Sequence, residues 1–169
     1  MKIMSVFGTR PEIIRLSRIF ELLDNNFDHV MVNTSQNFTH ELNSVFFDEM
    51  KIRKPDYDMK VNTKEYAKEV ADVIIKAEKL LKKEKPDILL ILGDTNSGLS
   101  AIPAAYQGIK IAHLEAGMRS YDPRMPEEKN RVMIDHLSTV LLPYTQYSRE
   151  NLIRENIHPS KIYVVGNPI

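Results

Sequence analysis

Six short apolar runs break up this chain, and they limit its possible folds more than any other feature. They lie at residues 3–7, 29–32, 88–92, 109–114, 140–142 and 162–165. A strand with one wet face alternates apolar and polar residues. A run without alternation is buried on both faces, as in a parallel sheet covered by helices.

Helical patterns fill the intervals. Pro11 suits a first helical turn, with Thr9 or Arg10 before it. Ile13, Ile14, Leu16, Ile19, Phe20 and Leu23 then form an apolar face. Further helices are predicted from Thr39 through Phe46, from Thr63 through Leu81 with an end at Pro86, and from Thr95 through Tyr106 with an end at Gly108. Two more follow, from Pro126 through Leu137 and from Thr145 or Ser148 through Arg154. A weaker strand signal lies near 57–59. This alternation with short connections predicts one α/β domain built on a doubly wound parallel sheet.

A chain of 169 residues suits one such domain. Lys and Arg balance Asp and Glu at 23 each, which leaves no general attraction to nucleic acid or an acidic membrane, so any anion site is local. The chain has no Cys, which excludes disulfides, thiolate metal sites and a Cys nucleophile. The first apolar run is too short for a signal peptide or a membrane span, and Gly8 follows it at once. A cytoplasmic location is expected. Gly166-Asn167-Pro168-Ile169 come directly after a predicted strand, which reads as the end of a piece of a longer protein, cut or decayed.

Ligands of open α/β sheets bind beyond the carboxyl ends of the strands. Four segments put polar residues there. Gly8-Thr9-Arg10-Pro11-Glu12 offers a close backbone approach, free N–H groups and a guanidinium for phosphate; it also reads as a plain turn with a surface Arg. It is not the GxGxxG dinucleotide fingerprint. Gly93-Asp94-Thr95-Asn96-Ser97 offers an acid that is either a base or a helix cap. In His113-Leu114-Glu115-Ala116-Gly117-Met118-Arg119 a carboxylate ends a central strand, where burial is costly without a partner. The plain reading there is a Glu115–Arg119 ion pair holding a loop, with His113 packed rather than ligating. Arg124-Met125-Pro126-Glu127-Glu128-Lys129-Asn130-Arg131 opens a helix and places Glu127, Asn130 and Arg131 on one face. Dipole complementation is the plain alternative, and for Glu128 the preferred one.

Three strand ends that each offer a carboxylate point to proton transfer, which needs groups of separated pKa. No HExxH, P-loop or nucleophile-elbow pattern occurs, and His29, His40, His136 and His158 lack metal-ligand spacing. No metal and no cofactor are called for.

Together the four segments resemble the non-hydrolysing UDP-N-acetylglucosamine 2-epimerases, in order and approximate spacing, over the whole chain. The resemblance implies a glycosyltransferase-B-like architecture of two Rossmann-like domains. Residues 1–169 correspond to the first, and the UDP-binding second domain, with a further catalytic His, is absent. It implies interconversion of UDP-N-acetylglucosamine and UDP-N-acetylmannosamine through loss and re-addition of UDP, with a UDP-sugar as the partner and a homodimer as the assembly. By motif match Asp94, Glu115 and Glu127 correspond to catalytic carboxylates. Arg10, Arg15, Arg119 and Arg131 are the substrate-binding candidates. With half the cleft missing, the chain alone is expected to be inactive or a non-catalytic remnant. Arg15 stands where many members have Lys, and residues 35–39 lack the Gln-His-Arg-Glu stretch of members with an allosteric site. A short loop at 120–125, with 13–18 and 96–103, is similar to the subgroup that performs the last 2-epimerisation toward UDP-N-acetyl-L-fucosamine.

Overall fold

The structure, a computed structural model, describes residues 1–35, 47–61 and 65–168. Strand β1 (Lys2–Phe7) leads through helix α1 (Arg10–Asn26) to β2 (Asp28–Asn33), and the short β3 (Tyr57–Asp58) follows. Helix α2 (Tyr66–Glu84), β4 (Ile88–Leu92), α3 (Ala101–Tyr106), β5 (Lys110–Leu114), α4 (Pro126–Leu137), β6 (Val140–Leu142) and α5 (Gln146–Arg154) complete the order. The strands pair in the order β3-β2-β1-β4-β5-β6, all parallel. This is the doubly wound Rossmann-like order, which reverses direction between β1 and β4.

The apolar runs behave as two-sided strands. Alternate residues of one strand feed opposite cores. Met4, Val6, Leu89 and Ile91 pack with Val73, Ala77 and Leu81 of α2 and Ile134 of α4. Ile3, Phe7, Leu90 and Leu92 pack with Ile13, Leu16 and Phe20 of α1 on the other face. The sheet thus depends on helices above and below, and its carboxyl rim is the edge where loops meet.

Several expectations need correction. Thr95 does not open an α-helix: residues Asn96–Ser100 form a 3-10 turn, and α3 starts at Ala101. Pro103 has no N–H to give Leu99, so it is accommodated in a first α-turn instead of a helix interior. The last predicted strand, 162–165, does not form. Ile162 makes one isolated bridge to Leu141, and Tyr163 N and Val165 N donate to Leu141 O and Pro143 O at 2.9 and 3.0 Å. Tyr163, Val164 and Val165 are exposed, so this edge segment lacks the two-sided cover that its apolar run suggested. Helix α2 begins at Tyr66 after Glu65; Thr63 and the helix expected from Thr39 through Phe46 lie outside the described residues. No described helix is long and apolar enough to cross a membrane.

After β5 the backbone turns sharply. Glu115 has a left-handed φ of 66°, and Gly117 has a φ of 76°. A Cβ on Gly117 would stand 2.2 Å from Ser148 O, so α5 approaches to the limit that only glycine allows. Gly117→Ala is expected to lower stability by about 2–5 kcal/mol, from the left-handed conformation and the backbone shift together. Urea unfolding measures this; an unchanged midpoint would contradict the packing described.

Candidate active site

The turn after β1 and the turn after β4 flank the point where the strand order reverses, and Glu12 joins them. Its Oε2 accepts from Gly8 N at 3.0 Å, Thr9 N at 2.8 Å and Thr9 Oγ1 at 2.8 Å. Its Oε1 accepts from Thr95 Oγ1 at 3.1 Å and Ser97 Oγ at 2.6 Å. Burial pushes the Glu12 carboxyl up, and the hydrogen bonds from Ser97, the Thr9 hydroxyl, Gly8 N and Thr95 oppose that. The sequence carried a signal for this group, because Thr9-x-x-Glu12 is a capping-box pattern. Its reach across to the β4 turn was not legible.

Beside this brace, Arg131 from α4 draws two acids together. Its Nη2 donates to Asp94 Oδ2 at 2.5 Å and to Glu115 Oε1 at 3.2 Å. Arg15 from α1 donates to the other Glu115 oxygen. Glu115 and Arg131 are both buried, while Asp94 and Arg15 are partly exposed. The neighbouring Asn130 donates to Asp94 O at 3.0 Å and to Asn96 Oδ1 at 3.1 Å, which fixes the β4 turn against α4. Glu127, one turn earlier, is exposed. It shares with Asp94, Thr95, Asn96 and Asn130 the lining of a cavity of about 400 Å³. Burial pushes the Asp94 carboxyl above the ordinary aspartate range; the Arg131 charge pulls it back and the Glu127 charge raises it again. Asp94 and Glu127 thus meet at one cavity in unlike environments, one half-buried and one exposed, while Glu115 is buried against the same Arg131.

The Glu115–Arg119 pair does not form. The Arg119 guanidinium is buried between Asp135 at 2.8 Å and Glu155 at 2.7 Å. Asp135 in turn takes His113 Nδ1 at 2.7 Å and Gly117 N at 3.1 Å, and His113 Nε2 lies 2.7 Å from Gly93 O. Arg119 thus anchors the loop that carries Glu115, and its charge is spent inside the protein, away from the group around Arg131. His113 and Glu115 would share a face in a regular strand; the left-handed Glu115 breaks that alternation and sends the two side chains to different partners. Glu128 accepts from Ser120 N at 2.9 Å and Tyr121 N at 3.0 Å, so it holds the loop before α4. Arg10 is exposed at the start of α1, on the same rim. Asp135 went unnoticed in the sequence because its partners lie 16 to 22 residues away.

The chain is thus a doubly wound α/β domain that gathers acids and guanidinium groups on its carboxyl rim, the edge where ligands of such sheets bind. The family model described as UDP-N-acetylglucosamine 2-epimerase matches residues 21–169, and the chain belongs to that family. A UDP-N-acetylglucosamine 2-epimerase of Methanocaldococcus jannaschii is 42% identical over all of this chain and 47% of its own length. The crystal structure of the Methanocaldococcus jannaschii UDP-GlcNAc 2-epimerase in complex with UDP-GlcNAc and UDP superposes with a TM-score of 0.94 at 41% identity, covering 99% of this chain and 47% of that one. The Rickettsia bellii UDP-N-acetylglucosamine 2-epimerase gives 0.94 at 46% identity, with 99% and 45% covered. A lipopolysaccharide outer core galactosyltransferase gives 0.71 at 19% identity, with 100% and 46% covered, which is a likeness of fold alone. The chain spans about half the length of the curated relatives it matches.

Glu127→Gln removes a charge that raises Asp94, and Arg131→Met removes one that lowers it. Carboxyl ¹³C titrations are expected to show Asp94 moving down in the first variant and up in the second; shifts of the same sign would contradict the geometry. Asp135 behaves oppositely. Burial would raise it, but the hydrogen bond from His113 and the charges of His113 and Arg119 hold it below the ordinary range. It therefore adds stability above its unfolded value of about 3.9, and this is lost as pH falls through the lower folded value. Asp135→Asn is expected to cost about 3–5 kcal/mol at neutral pH and to flatten the acid limb of stability against pH. Denaturant melts from pH 7 to pH 2 check both effects; an unchanged acid limb would contradict this role.

Proposed function

We propose that this chain forms the acid–base wall of a UDP-N-acetylglucosamine 2-epimerase. Asp94 and Glu115 are its proton-transferring groups, with Glu127 across the cavity. The convergence of Asp94 and Glu115 on the single Arg131 guanidinium supports the reading most directly. In the reaction a carboxylate takes the proton from sugar carbon 2 while the carbon 1–oxygen bond to UDP breaks. An acid on the other face returns a proton to carbon 2, and UDP re-adds to carbon 1, so no atom is gained or lost overall. Sugar carbon 2 adjoins no carbonyl, so its proton leaves only with help from the departing diphosphate.

The environment of each acid suits a share of this work. Asp94, raised by burial, holds or releases a proton closer to neutral pH than an ordinary aspartate. Glu115 is oriented by Arg15 and Arg131, and its left-handed backbone is strained, as residues at functional sites often are. Glu127 stands at the cavity mouth on the first turn of α4, where the helix dipole favours a carboxylate. Arg10, the first residue of α1 on the same rim, is the candidate to meet phosphate, while Arg15 and Arg131 neutralise Glu115 and Asp94. Arg119, held by Asp135 and Glu155, positions the Glu115 loop.

The relatives are about twice this length, so the test joins this chain to the second half of one. A chimera with residues 1–169 in place of the first half of the Methanocaldococcus jannaschii epimerase is expected to exchange the carbon 2 proton of UDP-GlcNAc with deuterated water and to form the carbon 2 epimer. Asp94→Asn, Glu115→Gln and Glu127→Gln are each expected to slow this by about 10²–10⁴-fold with the fold retained. A folded chimera without exchange, or variants with undiminished rates, would contradict the proposal.

A further inference from the structure

The cavity that Asp94 and Glu127 line has a further wall, from a helix that no motif marks. Helix α2 opens at Tyr66, and Tyr66 and Glu69 border that same cavity of about 400 Å³. Glu69 Oε1 accepts from Asn96 Nδ2 at 2.9 Å, which ties the first turn of α2 to the β4 turn that carries Asp94. Residues three apart share a helix face, so Tyr66 lies on the side that Glu69 turns to the site. Tyr66 is 55% exposed, so its ring is open to a group that enters the cavity. An aromatic ring left in water at a cavity wall gains by covering an apolar group.

The make-up of the cavity says which part of a nucleotide sugar fits. Its described lining holds three carboxylates, Glu69, Asp94 and Glu127, and no Lys or Arg. Such walls repel a diphosphate and accept an uncharged group. Among the described lining residues only Tyr66 and Pro126 offer ring carbons, and the rest are polar. A sugar whose carbon 2 stands within reach of Asp94 and Glu127 brings its carbon 2 substituent to the same walls. In an N-acetylated sugar that substituent is an acetamido group, which is neutral and ends in a methyl.

We propose that Tyr66 is a specificity-determining residue whose ring packs on the acetamido methyl at sugar carbon 2. The inference rests on the UDP-sugar reading above and deepens it, assigning this wall of the cavity to the acetamido group and making α2 part of the site.

The test is titration of the 169-residue chain with UDP-GlcNAc and, in parallel, with UDP-glucose, which has a hydroxyl in place of the acetamido group. Tyr66→Ala is expected to bind UDP-GlcNAc about three- to fivefold more weakly, the loss of one methyl's burial, with UDP-glucose affinity unchanged. Tyr66→Phe keeps the ring and is expected to bind both ligands as the unsubstituted chain does. Nuclear Overhauser contacts are expected between the acetyl methyl of bound UDP-GlcNAc and the Tyr66 ring protons. Equal weakening of both ligands by Tyr66→Ala, weakening of neither, a Phe variant as weak as the Ala variant, or a bound methyl without contact to Tyr66 overturns the Tyr66 assignment and leaves the UDP-sugar reading intact. Failure of the unsubstituted chain to bind millimolar UDP-GlcNAc overturns the assignment too, and carbon 2 exchange by the chimera then decides the UDP-sugar reading separately.

Discussion

The guanidinium of Arg131 is the interaction on which the site depends. It holds carboxylates from two different strand ends, Asp94 after β4 and Glu115 after β5, on one Nη2 atom. At an effective dielectric near 20, two like charges about 5 Å apart repel by roughly 3 kcal/mol. Without a cation between them, such acids would separate or one would take up a proton. Arg131 makes their approach tolerable, and Arg15 on the opposite side of Glu115 divides the load further. Helix α4 is therefore more than sheet cover. Its first turn carries Glu127, its buried face carries Asn130 and Arg131, and the following turn carries Asp135.

Two further buried acids keep this cluster in place without joining it. Glu12 ties the β1 turn to the β4 turn, and Asp135 ties the β5 loop to His113 and Arg119. Each satisfies several donors at once, which is what makes a buried carboxylate tolerable. The loops that carry Asp94 and Glu115 are thus gripped from behind, and their side chains project from rigid turns. That rigidity matches the demand of proton transfer, where small misplacements of a base cost rate steeply.

Much of this was legible in the sequence. The two-sided apolar runs identified five of the buried strands, because no other element needs uninterrupted apolar residues of that length. The strand-end acids were visible because α/β sheets fix where ligands sit. Pairing was not legible. Glu115 and Arg119 stand four apart, as helical partners do, but the chain there is a left-handed turn, and Arg119 finds Asp135 and Glu155 instead. Partners 16 to 37 residues distant, such as Arg131 with Glu115 and Asp94, are set by the order of the strands and leave no local pattern. The segment at 162–165 failed for a related reason: its residues suit a strand, but no described residue covers their outer side.

A crystal structure of the chain with UDP-GlcNAc bound tests the central claim most directly. Sugar carbon 2 is expected within about 3–3.5 Å of a carboxylate oxygen of Asp94, Glu115 or Glu127, the separation of a reactive pair. A nucleotide sugar seated with carbon 2 remote from all three carboxylates would contradict it.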